Sequence, residues 1–148
     1  MSVGRIAFII GTVVVAFILL AAWLVPPSGR TALDPKAIQV TDPAAIQSMV
    51  QLTRPGILVS ENYVGHKIRL IRGTLKNLSD KSIRLIEVRI QFTDSAGKTV
   101  QENIHPAFEP SQRPLEPGTE YQFEAAFENL PKTWNHIVPN MQVVKVAY

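Results

Sequence analysis

Between Ile86 and Thr93 the chain alternates without a break: Ile86, Val88, Ile90 and Phe92 share one parity, and Glu87, Arg89, Gln91 and Thr93 share the other. Successive side chains of an extended strand point to opposite faces, so this pattern fits a strand with one buried and one wet face. The pattern returns in the stretch ending at Glu128, where Tyr121, Phe123, Ala125 and Phe127 alternate with Glu120, Gln122, Glu124 and Glu128. Strands of this kind cannot bury their apolar sides alone and need a second layer.

The neighbouring segments supply it. Ile57 to Val64 reads as a strand ending at a Gly65-His66 turn, and Lys67 to Asn77 reads as the next. In the latter, Ile68 and Leu70 hold one parity while Ile71, Gly73 and Leu75 hold the other, which predicts a bulge or burial on both faces. Lys98 to His105 is expected to return as a hairpin partner, a Pro-rich excursion covers 106–114, Leu115-Glu116-Pro117-Gly118 is a turn, and Met141 to Ala147 is a last strand. About six or seven short strands separated by turns predict a mainly β fold, an antiparallel immunoglobulin-like β-sandwich.

From Ile6 to Val25 the chain is apolar and carries no charge. At about 1.5 Å per residue, some 20 such residues cross a bilayer core of roughly 30 Å. Ile6, Phe8, Val14, Phe17, Leu20, Trp23 and Val25 are the expected anchor residues, with Trp23 at interfacial depth and Pro26-Pro27 ending the helix. A cleaved secretory signal is the alternative, but its apolar region is usually only about 7–15 residues, and Ala21-Ala22-Trp23 is a poor cleavage site. Arg5 precedes the run and Arg30 and Lys36 follow it, so charge alone barely orients it. A short tail before a large C-terminal domain is the usual shape of a signal anchor. In a bacterium that shape places a single-pass protein in the inner membrane with its domain in the periplasm.

Residues 1–5 are then a tail, 6–25 a transmembrane helix, 26–56 a linker and 57–148 the sandwich. Within the linker, Asp42-Pro43 is a helix start, and Ile46, Met49 and Val50 form an apolar stripe on a short helix over 43–53 that Arg54-Pro55-Gly56 stops.

Charge is unevenly spread. Seven basic residues (Lys67, Arg69, Arg72, Lys76, Lys81, Arg84, Arg89) face only Asp80 and Glu87 over 67–89. Over 102–128 six glutamates stand against Arg113. The two rows either pair with each other across neighbouring strands, or present Lys67, Arg69, Arg72, Lys76, Arg84 and Arg89 to an acidic partner or anionic lipid. A nucleic-acid reading lacks aromatic residues for base stacking within the basic row.

No motif carries chemistry. The segment TDSAGKTV, Thr93 to Val100, contains the Gly-Lys-Thr that ends a phosphate loop, but Phe92 stands where the first glycine belongs and no helix follows. A hairpin at Asp94-Ser95-Ala96-Gly97 accounts for the same residues, so nucleotide is not expected. His66, His105 and His136 fit no metal spacing, cysteine is absent, and no serine sits in a nucleophile elbow. Glu120, Glu124 and Glu128 could hold paired catalytic carboxylates but read more simply as a solvated strand face. Asn77-Leu78-Ser79 matches an N-glycosylation acceptor, or is a turn. No catalytic residue, metal or cofactor is therefore assigned.

The run Ile71 to Tyr148 resembles the FxLYD-type family of bacterial membrane-anchored sandwich domains. The resemblance is carried by Gly73-Thr74-Leu75-x-Asn77-x-Ser79, by Val88-x-Ile90-x-Phe92-Thr93-Asp94-x-x-Gly97, by Leu115-x-Pro117-Gly118, by YQFEAAF and by the closing VVKVAY. Thr93 stands where the Leu-Tyr pair of the family's motif would precede Asp94. The resemblance implies an extracytoplasmic interaction or accessory module and transfers no catalytic residue. A non-catalytic accessory subunit of a membrane protein complex is the expected function, with an anionic-lipid module using Lys67–Arg89 as the alternative and a hydrolase using the glutamate row last.

Overall fold

The alternating stretches are strands in the computed structural model, which describes residues 36–61, 67–109 and 113–148. The expected membrane helix at 6–25 lies outside the described residues, among which no helix is long and apolar enough to cross a membrane. In chain order the elements are β1 (Gln39–Val40), α1 (Pro43–Met49), β2 (Val50–Glu61), β3 (Lys67–Asn77), β4 (Leu85–Thr93), β5 (Thr99–Phe108), β6 (Glu120–Phe127) and β7 (Asn140–Ala147). They form two sheets, β1-β7-β4-β5 and β2-β3-β6. Every pairing is antiparallel.

The core lies between the sheets. Ile86, Val88, Ile90 and Phe92 of β4 are fully buried and meet Ile71, Leu75, Phe123 and Ala125 from the other sheet. Gly73 sits in register with Phe123, and a Cβ on it would stand 2.6 Å from Phe123 Cε1 and 3.0 Å from Leu52 Cδ1. Only glycine lets that ring lie across β3 at this distance.

Two expectations are corrected. The helix expected over 43–53 begins as read, with Asp42 Oδ2 accepting from the Ala45 N–H at 2.8 Å, but it ends at Met49. Val50 is already extended (φ −136°, ψ 128°) and pairs with Asn77. A helix of two turns is marginal by itself, whereas ladder bonds to β3 satisfy the backbone of 50–53 and bury Val50. The sandwich therefore starts before residue 57, and Ile46 and Val50 belong to its core. Arg54-Pro55-Gly56, read as a helix stop, is instead a bulge inside β2, with the register shifting between Thr53 and Gly56 and Arg54 at φ 52°. The extra residue reverses the parity, so Leu52 packs on the core before it and Ile57 after it.

The second correction concerns β5, expected to stop at His105. It runs to Phe108 through Pro106. Proline is accepted because β5 is an edge strand and the ladder slips a register between Ile86 and Glu87. In β3 the parity conflict resolves as burial on both sides: its pairing with β6 is unbroken, and Ile68 and Leu70 lie half-buried on the outer face, Leu70 opposite Leu58.

The sandwich has two unlike ends, separated by the length of β7, 8 residues or roughly 25 Å. At one, Ile38 and Tyr148 exchange both backbone hydrogen bonds, at 3.1 and 3.2 Å. The same end holds the loop after Asn77. At the other lie the hairpin after Thr93 and the connection between β6 and β7.

Candidate functional site

Strand parity disperses the basic row. Arg72 and Lys76 stand on the outer face of the β2-β3-β6 sheet, each directly opposite a glutamate of β6. Arg72 Nε is 3.1 Å from Glu124 Oε2, and Lys76 Nζ is 3.8 Å from Glu120 Oε1. Arg89 lies on the other sheet, its Nε 3.3 Å from Glu102 Oε1 but without hydrogen-bond alignment; Gln91 Nε2 donates to the same carboxylate at 2.7 Å. Lys145 reaches Glu87 at 3.7 Å. Exposed pairs of this type contribute about 0–1 kcal/mol each, so their main effect is to neutralise the sheet faces. Arg84 is exposed beside the Tyr148 end, where its N–H donates to Ala147 O at 2.7 Å. Lys67 opens β3 opposite Glu61. The six residues do not form one surface.

Arg69 is the exception. It shares the parity of Ile71 and Leu75, so it turns inward where the two sheets part, in register with Val59 and Phe127. Here the core ends in an aromatic stack. The Phe92 ring meets Phe127 edge-on at 4.9 Å and Trp134 at 5.5 Å, and the His136 ring lies against Trp134 at 4.8 Å with the two planes tilted by 51°. Trp134 is 4% exposed, yet its Nε1 has no hydrogen-bond partner. A buried donor without an acceptor costs about 1–3 kcal/mol.

The loop that carries Trp134 is fixed to the hairpin. Asn135 donates its N–H to Thr93 O at 3.0 Å and its Nδ2 to Thr93 Oγ1 and Asp94 O, while its Oδ1 accepts from the Ile137 N–H. Trp134 N–H donates to Pro131 O at 3.1 Å. The hairpin closes as the sequence predicts: Asp94 Oδ1 accepts from the N–H groups of Ala96 and Lys98 at 2.9 Å, and Gly97 takes φ 79°. The amides of Ala96, Gly97 and Lys98 are thus bonded to Asp94, and TDSAGKTV is a turn. His136 takes φ 62°, a left-handed conformation that costs a residue with a Cβ about 1–2 kcal/mol.

These groups line a cleft of about 480 Å³, with Arg69, Lys132, Trp134 and His136 beside Leu130 and Glu128. Neither Arg69 nor Lys132 forms an ion pair among the described residues. A cleft of similar volume lies over the outer face at Arg54, Arg72, Thr74 and Glu124, but there the Arg72–Glu124 pair occupies the charge. Among the described residues no group of histidines and carboxylates is arranged to hold a metal ion. His105 lies apart from the cleft, 6.4 Å from the Phe123 ring.

The opposite end is bonded throughout. Asn77 is fully buried; its Nδ2 donates to Lys81 O at 2.7 Å and Leu115 O at 2.8 Å, and its Oδ1 accepts from Ser79 N–H and Oγ. The nitrogen a glycan would need is therefore inside the fold, and Asn77-Leu78-Ser79 acts as a structural hub.

In the sequence Arg69 belongs to the basic row with no sign of this cleft, Lys132 and Trp134 stand outside every motif, and His136 reads as a turn or surface residue. A tryptophan between polar residues in a long inter-strand connection, Lys132-Thr133-Trp134-Asn135-His136, was the available signal. Compared with known proteins, the chain matches no family model, no curated protein and no solved structure. The FxLYD-type resemblance accordingly rests on the quoted motifs.

Proposed function

We propose that this chain is a non-catalytic, membrane-anchored immunoglobulin-like sandwich that serves as an accessory, partner-binding subunit of a membrane protein complex. In this reading residues 6–25 anchor it in a bacterial inner membrane and the sandwich stands in the periplasm. The observation that carries the proposal is the contrast in charge. Arg72, Lys76 and Arg89 on the sheet faces each stand against a glutamate, while among the described residues Arg69 and Lys132 form no ion pair and line, together with Glu128, a cleft beside a buried indole. Unpaired cations in a concave aromatic site are placed to bind, and the site holds no nucleophile with an adjacent base.

Strand order supports the immunoglobulin-like assignment. β2, β3 and β6 sit as the A, B and E strands of that fold would, with β4, β5 and β7 in the order of C, C′ and F. The short β1 takes the place beside β7 that a G strand would occupy. The FxLYD-type motifs and the uncharged run Ile6–Val25 support the anchored, extracytoplasmic setting. The alternative, anionic-lipid binding along Lys67–Arg89, has weaker support because Arg72, Lys76 and Arg89 already face carboxylates.

Extraction of the full chain from native membranes in mild detergent, followed by size analysis, tests the proposal. The expected result is a complex containing other membrane proteins in fixed proportion. A chain recovered alone as a monomer across gentle detergents would overturn it.

A further inference from the structure

We propose that the Trp134 cleft binds a carboxylate borne by an acidic, apolar-flanked segment of a partner polypeptide. This rests on the reading of the chain as a partner-binding subunit and names what the partner presents. Three features of the cleft select the ligand.

The first is charge. Arg69 and Lys132 face one carboxylate, Glu128, across the same cleft, leaving positive charge in excess, and Arg69 is half-buried, where its field is less screened. A guanidinium presents parallel N–H groups that match the two oxygens of a carboxylate.

The second is the backbone. Phosphate sites commonly add a nest of free N–H groups to their cations. Here the N–H groups of Trp134, Asn135 and Ile137 are bonded to Pro131 O, Thr93 O and Asn135 Oδ1. Over 134–137 no two successive N–H groups are therefore free to form a nest, and the side-chain cations there suit a carboxylate better than a phosphate.

The third is the apolar rim. Ile137 and Val138 follow His136 directly and are 59% and 41% exposed; Val59, the register neighbour of Arg69, is 58% exposed. Large exposed aliphatic residues beside unpaired cations fit a peptide carrying both an acid and an apolar side chain, and an inorganic anion would leave them wet. His136, held at φ 62° against the indole, marks the cleft as a place where the fold tolerates strain.

Full-length protein in detergent, with Trp23→Phe leaving Trp134 as the sole tryptophan, permits a direct test. The probes are an octapeptide alternating Asp and Leu, the same peptide with Asn for Asp, inorganic phosphate, and phosphatidylglycerol vesicles. The acidic peptide should shift Trp134 emission saturably and the Asn peptide should not. Lys132→Gln, an exposed change that leaves the fold intact, and Arg69→Gln should each weaken binding by roughly tenfold.

Equal binding of both peptides, or an acidic-peptide affinity unchanged in Lys132→Gln and Arg69→Gln, would overturn the proposal. So would phosphate or phosphatidylglycerol vesicles displacing the peptide at comparable concentration, which would assign the cleft to a phosphate or a lipid headgroup. The native-membrane complex separates the two readings. If it forms with wild-type chain and survives both substitutions, the ligand class is wrong and the accessory role stands. If it never forms, the accessory role fails whatever the peptide does.

Discussion

The two ends of this sandwich differ in how completely their polar groups are matched. At the Asn77 end one buried side chain ties two segments together, the Ser79–Lys81 loop and Leu115, and the surrounding backbone closes on it through Thr119 and Gly118. At the Trp134 end, among the described residues, a buried indole N–H has no partner, two cations form no ion pair and one residue other than glycine carries a left-handed backbone. A fold that satisfies one end and leaves the other unsatisfied concentrates stability at the first and binding capacity at the second.

Asn77→Ala gives the largest test of that division. It removes four side-chain hydrogen bonds, leaving the Leu115 carbonyl with the Ile83 N–H at 3.0 Å and the Lys81 carbonyl with Ser79 Oγ at 3.3 Å. At about 0.5–1.5 kcal/mol for each lost bond, a loss of about 3 kcal/mol is expected, read as a lower urea midpoint. Partner binding in the surviving folded fraction should be unchanged. If Asn77→Ala costs under about 0.5 kcal/mol, the hub is not what holds that end, and the comparison breaks there.

His136→Gly should move stability the other way. Glycine accepts φ 62° freely, so relief of strain should outweigh the lost contact with Trp134 and the greater freedom of the unfolded chain. A gain of about 0.5–1 kcal/mol in denaturant unfolding is expected, together with weaker peptide binding. A destabilisation of more than about 1 kcal/mol would mean that the imidazole supports the fold, and the open end would then be structural like the other.

Much of this was legible before the structure was seen. The alternations at Ile86–Phe92 and Tyr121–Phe127 set the two core strands, and Asp94 with Gly97 set the hairpin, because those patterns are local. Parity alone also separates Arg69 from Arg72 and Lys76, although the charge row hides it. The start of β2 was not legible. Ile46, Met49 and Val50 fit a helical stripe as well as they fit a helix followed by a strand, and pairing with Asn77, distant in sequence, decides between them. Pro106 looks like a strand terminator until β5 is known to be an edge. The cleft was the least legible feature, since Arg69 and Trp134 meet only when β3 and the β6–β7 connection reach the same end of the sandwich.

His105 belongs to neither end and provides the smallest and most specific test of their division. It projects from β5 toward β6, and burial holds its imidazole below the usual value of 6.5, opposed by the charge of Glu109 and by a hydrogen bond to the backbone of Glu124. A lowered native value means that the unfolded chain binds the proton more readily. Stability should therefore be complete above pH 6.5, fall as the pH drops from there to the lowered native value, and level off below it. In thermal melts between pH 7.5 and 5.5 the wild type should lose a small part of its Tm, and His105→Gln should flatten that slope. Carboxylates, which titrate lower, contribute little over this range. A slope that persists unchanged in His105→Gln would show that the buried imidazole between β5 and β6 does not carry the pH response, and the stability of the sandwich between its two ends would then be indifferent to that side chain.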